Sequence, residues 1–84
     1  MTYYVYILYT SKFDKYYVGQ TNDIADRLSR HNGGSERATK SYVPWQMKWH
    51  ITKPSRAEAM ALEKKLKNLS KERLRDFITK YSRE

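Results

Sequence analysis

The stretch Tyr3-Tyr4-Val5-Tyr6-Ile7-Leu8-Tyr9, followed after a short polar segment by Tyr16-Tyr17-Val18-Gly19-Gln20, decides the fold. Both runs are dense in β-branched and aromatic residues and read as strands. The segment between them, Thr10-Ser11-Lys12-Phe13-Asp14-Lys15, is short enough for a hairpin. Alternation places Tyr4, Tyr6 and Leu8 on one side of the first strand, and Tyr17 and Gly19 together on the second. Tyrosine suits half-buried strands with no further role. A glycine inside a strand, however, weakens it and often marks the close approach of another group.

Working outward, Thr21-Asn22-Asp23 supplies N-cap candidates for a helix running through His31, and Asn32-Gly33-Gly34 stops it. Ser35 to Val43 reads as a basic loop. Trp45 to Thr52 reads as a third strand with Trp45, Met47 and Trp49 on one side. Pro54 and Ser55 open a helix with Ala59, Leu62, Leu66 and Leu69 in one stripe. Ser70 caps a last helix carrying Leu74, Phe77, Ile78 and Tyr81. The order β-β-α-β-α-α predicts a small α+β domain, one unit over residues 1–84, with a three-stranded antiparallel sheet flanked by helices.

Composition narrows the function. There is no cysteine, which excludes a disulfide framework and zinc-thiolate chemistry. No apolar run approaches the roughly 20 residues needed to span a bilayer, and Met1-Thr2-Tyr3-Tyr4 lacks the order of a signal peptide. The expected compartment is the cytoplasm. Seventeen Lys and Arg against nine Asp and Glu give a net charge of +8, a field that favours polyanions over a membrane surface. A merely solvated basic surface is the alternative.

Two further features carry possible chemistry. Arg27 and His31 share an arc of about 100° with Ile24 and Leu28, at the edge of the sheet-facing side of their helix. An arginine there can clamp a phosphate, and a histidine can move a proton near neutral pH. A snorkelling arginine and a dipole-stabilised histidine would look the same. Glu63 falls at the edge of the Leu62–Leu66 stripe, where a carboxylate is costly unless paired or metal-bound. An i,i+4 pair with Lys67 would satisfy it equally well.

Tyr4-Val5-Tyr6-Ile7-Leu8, Tyr17-Val18-Gly19-Gln20-Thr21, Arg27 with His31, and Glu63 in its helix together resemble the GIY-YIG nuclease superfamily. The likeness covers nearly the whole chain and is closest to short stand-alone bacterial members, similar to the amino-terminal nuclease module of the excision-repair enzyme. The first motif has Tyr4 where the family name has glycine. Many members carry a late asparagine past the glutamate; here that region reads Leu74-Arg75-Asp76-Phe77.

The resemblance implies a metal-dependent endonuclease acting on nucleic acid, DNA first, in a repair setting, with a repair protein as a further partner. It implies catalytic roles for Tyr6, Tyr17, Arg27, His31 and Glu63, converging on one concave face. Glu63 would hold one Mg²⁺ or Mn²⁺ ion, and Arg27 the scissile phosphate. Tyr6 would be the general base with a lowered phenol pKa, and Tyr17 and His31 would tune it. Asp14, Asp23, Asp26 and Asp76 show no spacing for a second metal. Arg37, Lys40, Lys64 and Lys67 are expected to contact phosphates without reading sequence. A non-catalytic nucleic-acid-binding module, or an adaptor in a repair complex, is the competing reading.

Overall fold

The computed structural model describes residues 2–82; residues 1, 83 and 84 of the expected domain lie outside the described residues. In chain order the elements are β1 (Tyr3–Thr10), β2 (Lys15–Thr21), α1 (Ile24–Asn32), a single 3₁₀ turn (Lys40–Tyr42), β3 (Gln46–Lys53), α2 (Arg56–Lys67) and α3 (Lys71–Tyr81). The expected order holds, and the turn adds local structure to what reads as loop.

The strands form one antiparallel sheet in the order β2-β1-β3. The central place of β1 follows from its unbroken apolar run. Val5, Tyr6, Ile7 and Leu8 are all essentially inaccessible, so both faces of β1 must be covered. Tyr6 and Leu8 pack with Trp45, Ile24 and Leu28 under α1. Val5, Ile7 and Val18 pack with Ala59, Leu66 and Leu74 under α2 and α3, where Leu62, Leu69, Phe77 and Ile78 also lie. The stripe of Ala59, Leu62, Leu66 and Leu69 read from spacing is therefore the one that buries, whereas Tyr81 of the last helix is exposed.

The third strand departs from expectation. Ile7 pairs with Trp49 but Leu8 pairs with Met47, so Lys48 is an extra residue in the ladder. Such a bulge breaks the two-residue alternation. Met47 consequently packs beneath α1 and Trp49 beneath α3, where its ring meets Phe77 at 4.9 Å. Trp45, Met47 and Trp49 do not share a side.

Polar side chains fix the ends. Asp23, Ser55 and Ser70 cap their helices, each accepting from the backbone N–H three residues on. After α1, Gly34 takes the left-handed conformation (φ 81°) while Gly33 stays right-handed. In the hairpin, Asp14 adopts φ 52°, accepts the Tyr9 hydroxyl at 2.7 Å and pairs with Lys71 at 2.8 Å, tying the turn to α3. With β1 central, the outer edge of β2 is left open between the two helical layers.

Candidate active site along the free edge of β2

Tyr6 lies directly opposite Gly19 in the β1–β2 ladder. A Cβ at Gly19 would stand 2.5 Å from the Tyr6 hydroxyl oxygen, 2.7 Å from Cζ and 3.2 Å from Cε2 of Tyr17. The missing side chain is what lets the Tyr6 ring lie across β2. The close approach suggested by Gly19 is thus made by a neighbouring strand's side chain.

The Tyr6 hydroxyl meets Nε2 of His31 at 2.9 Å, and Nδ1 of His31 meets the Thr39 hydroxyl at 2.7 Å. Thr39 itself donates to the Glu36 carbonyl at 3.5 Å. Assigning the Thr39 proton to the Glu36 carbonyl makes Nδ1–H the donor to Thr39 and leaves the Nε2 lone pair for the Tyr6 hydroxyl; the tautomer is assigned from this hydrogen-bond pattern. His31 is fully buried. Its pKa is lowered, first by burial and then by Arg27, with Glu36 opposing, which keeps it neutral. The Tyr17 ring flanks it, centroids 4.9 Å apart.

Burial pushes the Tyr6 hydroxyl well above the ordinary phenol range; Tyr17, Glu36 and Glu63 add to the rise and only Arg27 opposes it. Among the protein's own groups, desolvation of the phenolate outweighs one nearby guanidinium; the lowering expected from the resemblance draws on a bound metal ion as well as Arg27.

Arg27 sits one helical turn before His31, half-buried, with its Nε buried and unpartnered among the described residues. It lines a cavity of about 390 Å³ with Tyr3, Gln20, Thr21, Asn22 and Arg56. Glu63 arrives from the other layer. Its Oε1 accepts the Gln20 amide at 3.3 Å, its Oε2 pairs with Lys67 at 3.0 Å, and its side chain is 19% exposed. Tyr6, Tyr17, Arg27 and His31 therefore cluster on the α1 side, while Glu63 reaches the β2 edge from α2. The five residues do not share the expected single concave face: α1 and α2 cover opposite faces of the sheet, and Glu63 lines a separate hollow with Met60, Lys64 and Lys67, linked to β2 through the Gln20 amide. The i,i+4 pair with Lys67, the alternative to metal binding for Glu63, is present.

A cavity of about 530 Å³ follows the same edge, with Tyr17 and Trp45 in its wall. Lys67 and Lys71 border one side; Ala38 and Tyr42, from the segment of Arg37 and Lys40, border the other. Arg37, Lys40, Lys64 and Lys67 are all exposed.

A model of the GIY-YIG catalytic domain matches residues 2–76. The chain belongs to the GIY-YIG family. It is similar to the UPF0213 protein BH0048 of Halalkalibacterium halodurans, 31% identical over 80 residues, which cover 94% of this chain and 84% of that protein. A solution NMR structure of the UPF0213 protein BH0048 from Bacillus halodurans shares the fold. Its TM-score is 0.63 at 29% identity, covering 96% of this chain and 86% of that one. GIY-YIG domains form a nuclease family, and no helix among the described residues is long and apolar enough to cross a membrane.

Three residues of this GIY-YIG domain escaped the sequence reading. Gln20 holds Glu63. Thr39, which orients His31, lies in a loop with no periodic signal. Asn32, read only as a helix stop, brackets Trp45, accepting its N–H at 2.6 Å and donating to its carbonyl at 3.1 Å. Trp45 in turn donates its indole N–H to the Thr39 carbonyl at 3.0 Å, fixing the loop behind His31.

Proposed function

We propose that the protein is a metal-dependent endonuclease that hydrolyses phosphodiester bonds in DNA. The observation that carries this is the buried hydrogen-bonded chain Tyr6–His31–Thr39, set beside Arg27, whose Nε has no partner among the described residues. A buried imidazole needs a partner at each ring nitrogen, and Tyr6 and Thr39 supply them. What goes beyond core packing is that one partner is a phenol on the same side of the sheet as Arg27, bonded to a neutral histidine able to receive its proton.

Hydrolysis requires a water to lose a proton as its oxygen attacks phosphorus and the bond to the 3′ oxygen breaks. With its raised pKa, Tyr6 holds no standing phenolate at neutral pH. It conducts instead: the phenol oxygen takes the water's proton as its own proton passes to His31 Nε2. Thr39 accepts from Nδ1–H and keeps the imidazole turned to receive it. Arg27 holds the phosphate oxygens, and Tyr17 packs the histidine in place.

No group of three or more His, Cys, Asp or Glu gathers among the described residues, so a many-carboxylate metal site is out of keeping with this chain. One part-exposed carboxylate fits an ion held largely by waters and substrate oxygens, the mode Mg²⁺ favours. Glu63 would hold it, once the half-exposed Lys67 ammonium swings away. When bound, the ion supplies charge neutralisation at the phosphate and the leaving oxygen.

Glu63→Gln tests the assignment. We expect loss of Mg²⁺- or Mn²⁺-dependent plasmid nicking with DNA binding nearly intact. Undiminished nicking by the variant removes Glu63 as the ligand. The engagement of Glu63 by Lys67 and Gln20 favours one second reading, a GIY-YIG module that binds nucleic acid without cleaving it. Nicking by neither protein under either metal would select that reading.

A further inference from the structure

We propose that Arg56 is a second phosphate-binding residue, acting with Arg27 across one cavity at the end of β2. The inference rests on the nuclease reading and deepens it, since it concerns how the substrate backbone is held.

Arg27 and Arg56 come from opposite layers. Arg27 belongs to α1, on the Tyr6 side of the sheet; Arg56 is the first residue of α2, on the Val18 side. They share a lining only because β2 ends between them, where Gln20 and Thr21 form the floor. Among the described residues no carboxylate lines this cavity, and the nearby Glu63 carboxylate is engaged by the Gln20 amide and Lys67. Two guanidinium groups around a polar hollow with no carboxylate in its described lining make a site of net positive charge.

The second observation is the Arg27 Nε–H, buried and without a partner among the described residues. A buried donor left unmade is costly, and an anion that draws the Arg27 guanidinium outward into the adjoining cavity would relieve that cost. Guanidinium forks match phosphate oxygens two at a time, so the chemistry of the hollow selects phosphate over a carbonyl or an apolar group. At about 390 Å³ it has room for a phosphate with its attached sugar, which suits a strand passing the edge of β2. Arg56 is exposed and Arg27 half-buried. Arg56 accordingly captures and aligns the backbone, while Arg27 holds the more desolvated oxygen.

The test uses the intact protein and inorganic pyrophosphate, read by the NMR signals of the arginine Nε–H groups. In the wild type, the Arg27 and Arg56 signals should move together and saturate at one dissociation constant. Arg56→Ala should weaken the Arg27 titration roughly tenfold, as expected for loss of a charge-assisted contact. Arg56→Lys should fall between, keeping the charge but not the fork. Arg73→Ala, the same charge change on the exposed start of α3, should leave the titration within about twofold, because an ion pair at distance is screened. An Arg56 signal that does not move overturns the proposal. So does an Arg27 titration equal in wild type and Arg56→Ala, or equal losses in Arg56→Ala and Arg73→Ala. Paired pyrophosphate binding without any metal-dependent nicking would sustain the two-arginine site and refute the nuclease reading, so the two failures are separable.

Discussion

Replacing Gly19 with alanine asks whether the site is organised by the contact between neighbouring strands. The new methyl would overlap the Tyr6 ring, 2.5 Å from its oxygen and 2.7 Å from Cζ. Tyr6 cannot retreat easily, since it is 1% exposed and held between Leu8, Trp45 and α1. Forcing an extra methyl into a packed core costs about 1–3 kcal/mol. Displacing the hydroxyl also loses the His31 hydrogen bond, about 1 kcal/mol. Against this, alanine in a strand regains about 0.5–1 kcal/mol of backbone entropy. The net is a destabilisation of about 2 kcal/mol, which for a domain of this size lowers the melting temperature by roughly 10 °C. Thermal unfolding followed by circular dichroism measures it, and the His31 ring NMR signals report the lost contact. Tyr6→Phe added to Gly19→Ala should rescue little, because the ring carbon would still stand at 2.7 Å. A Gly19→Ala protein melting within about 2 °C of wild type, with an unchanged His31 spectrum, would refute the argument.

Three further outcomes are expected. His31 is held neutral with a lowered pKa, so below about pH 6.5 the unfolded chain binds the proton first and stability must fall as pH falls. Melting temperature compared at pH 7.5 and 5.5 should show that loss, and His31→Asn should flatten it. Arg37→Ala and Lys40→Ala should each weaken DNA binding equally across sequences and reduce the log–log salt slope by about one, measured by fluorescence anisotropy. Asn32→Ala removes both hydrogen bonds that bracket Trp45 and should cost about 1–3 kcal/mol, with increased hydrogen exchange in the Thr39 loop. An Asn32→Ala protein as stable as wild type would show that the Trp45 ring alone fixes that loop.

What local chemistry specifies could be read without coordinates. Strands, helices, caps and the apolar stripes depend on residues a few positions apart, so Val5 through Leu8, Asp23, Ser55 and the Ala59–Leu66 stripe announce their roles in order. Arg27 and His31 were placed at a sheet-facing edge because one helix carries both. The tertiary structure decided whatever depends on two elements meeting. The bulge at Lys48 separates Met47 from Trp49 because a strand's alternation is set by its partner's register. Thr39 orients His31 only because Asn32 and Trp45 fold the loop back. Glu63 stands on the opposite face of the sheet from Tyr6 and Tyr17 and reaches β2 through Gln20, a relation no helical wheel contains. The rise in the Tyr6 pKa belongs to the same class, since desolvation is a property of everything packed around the phenol and not of the motif in which it is written.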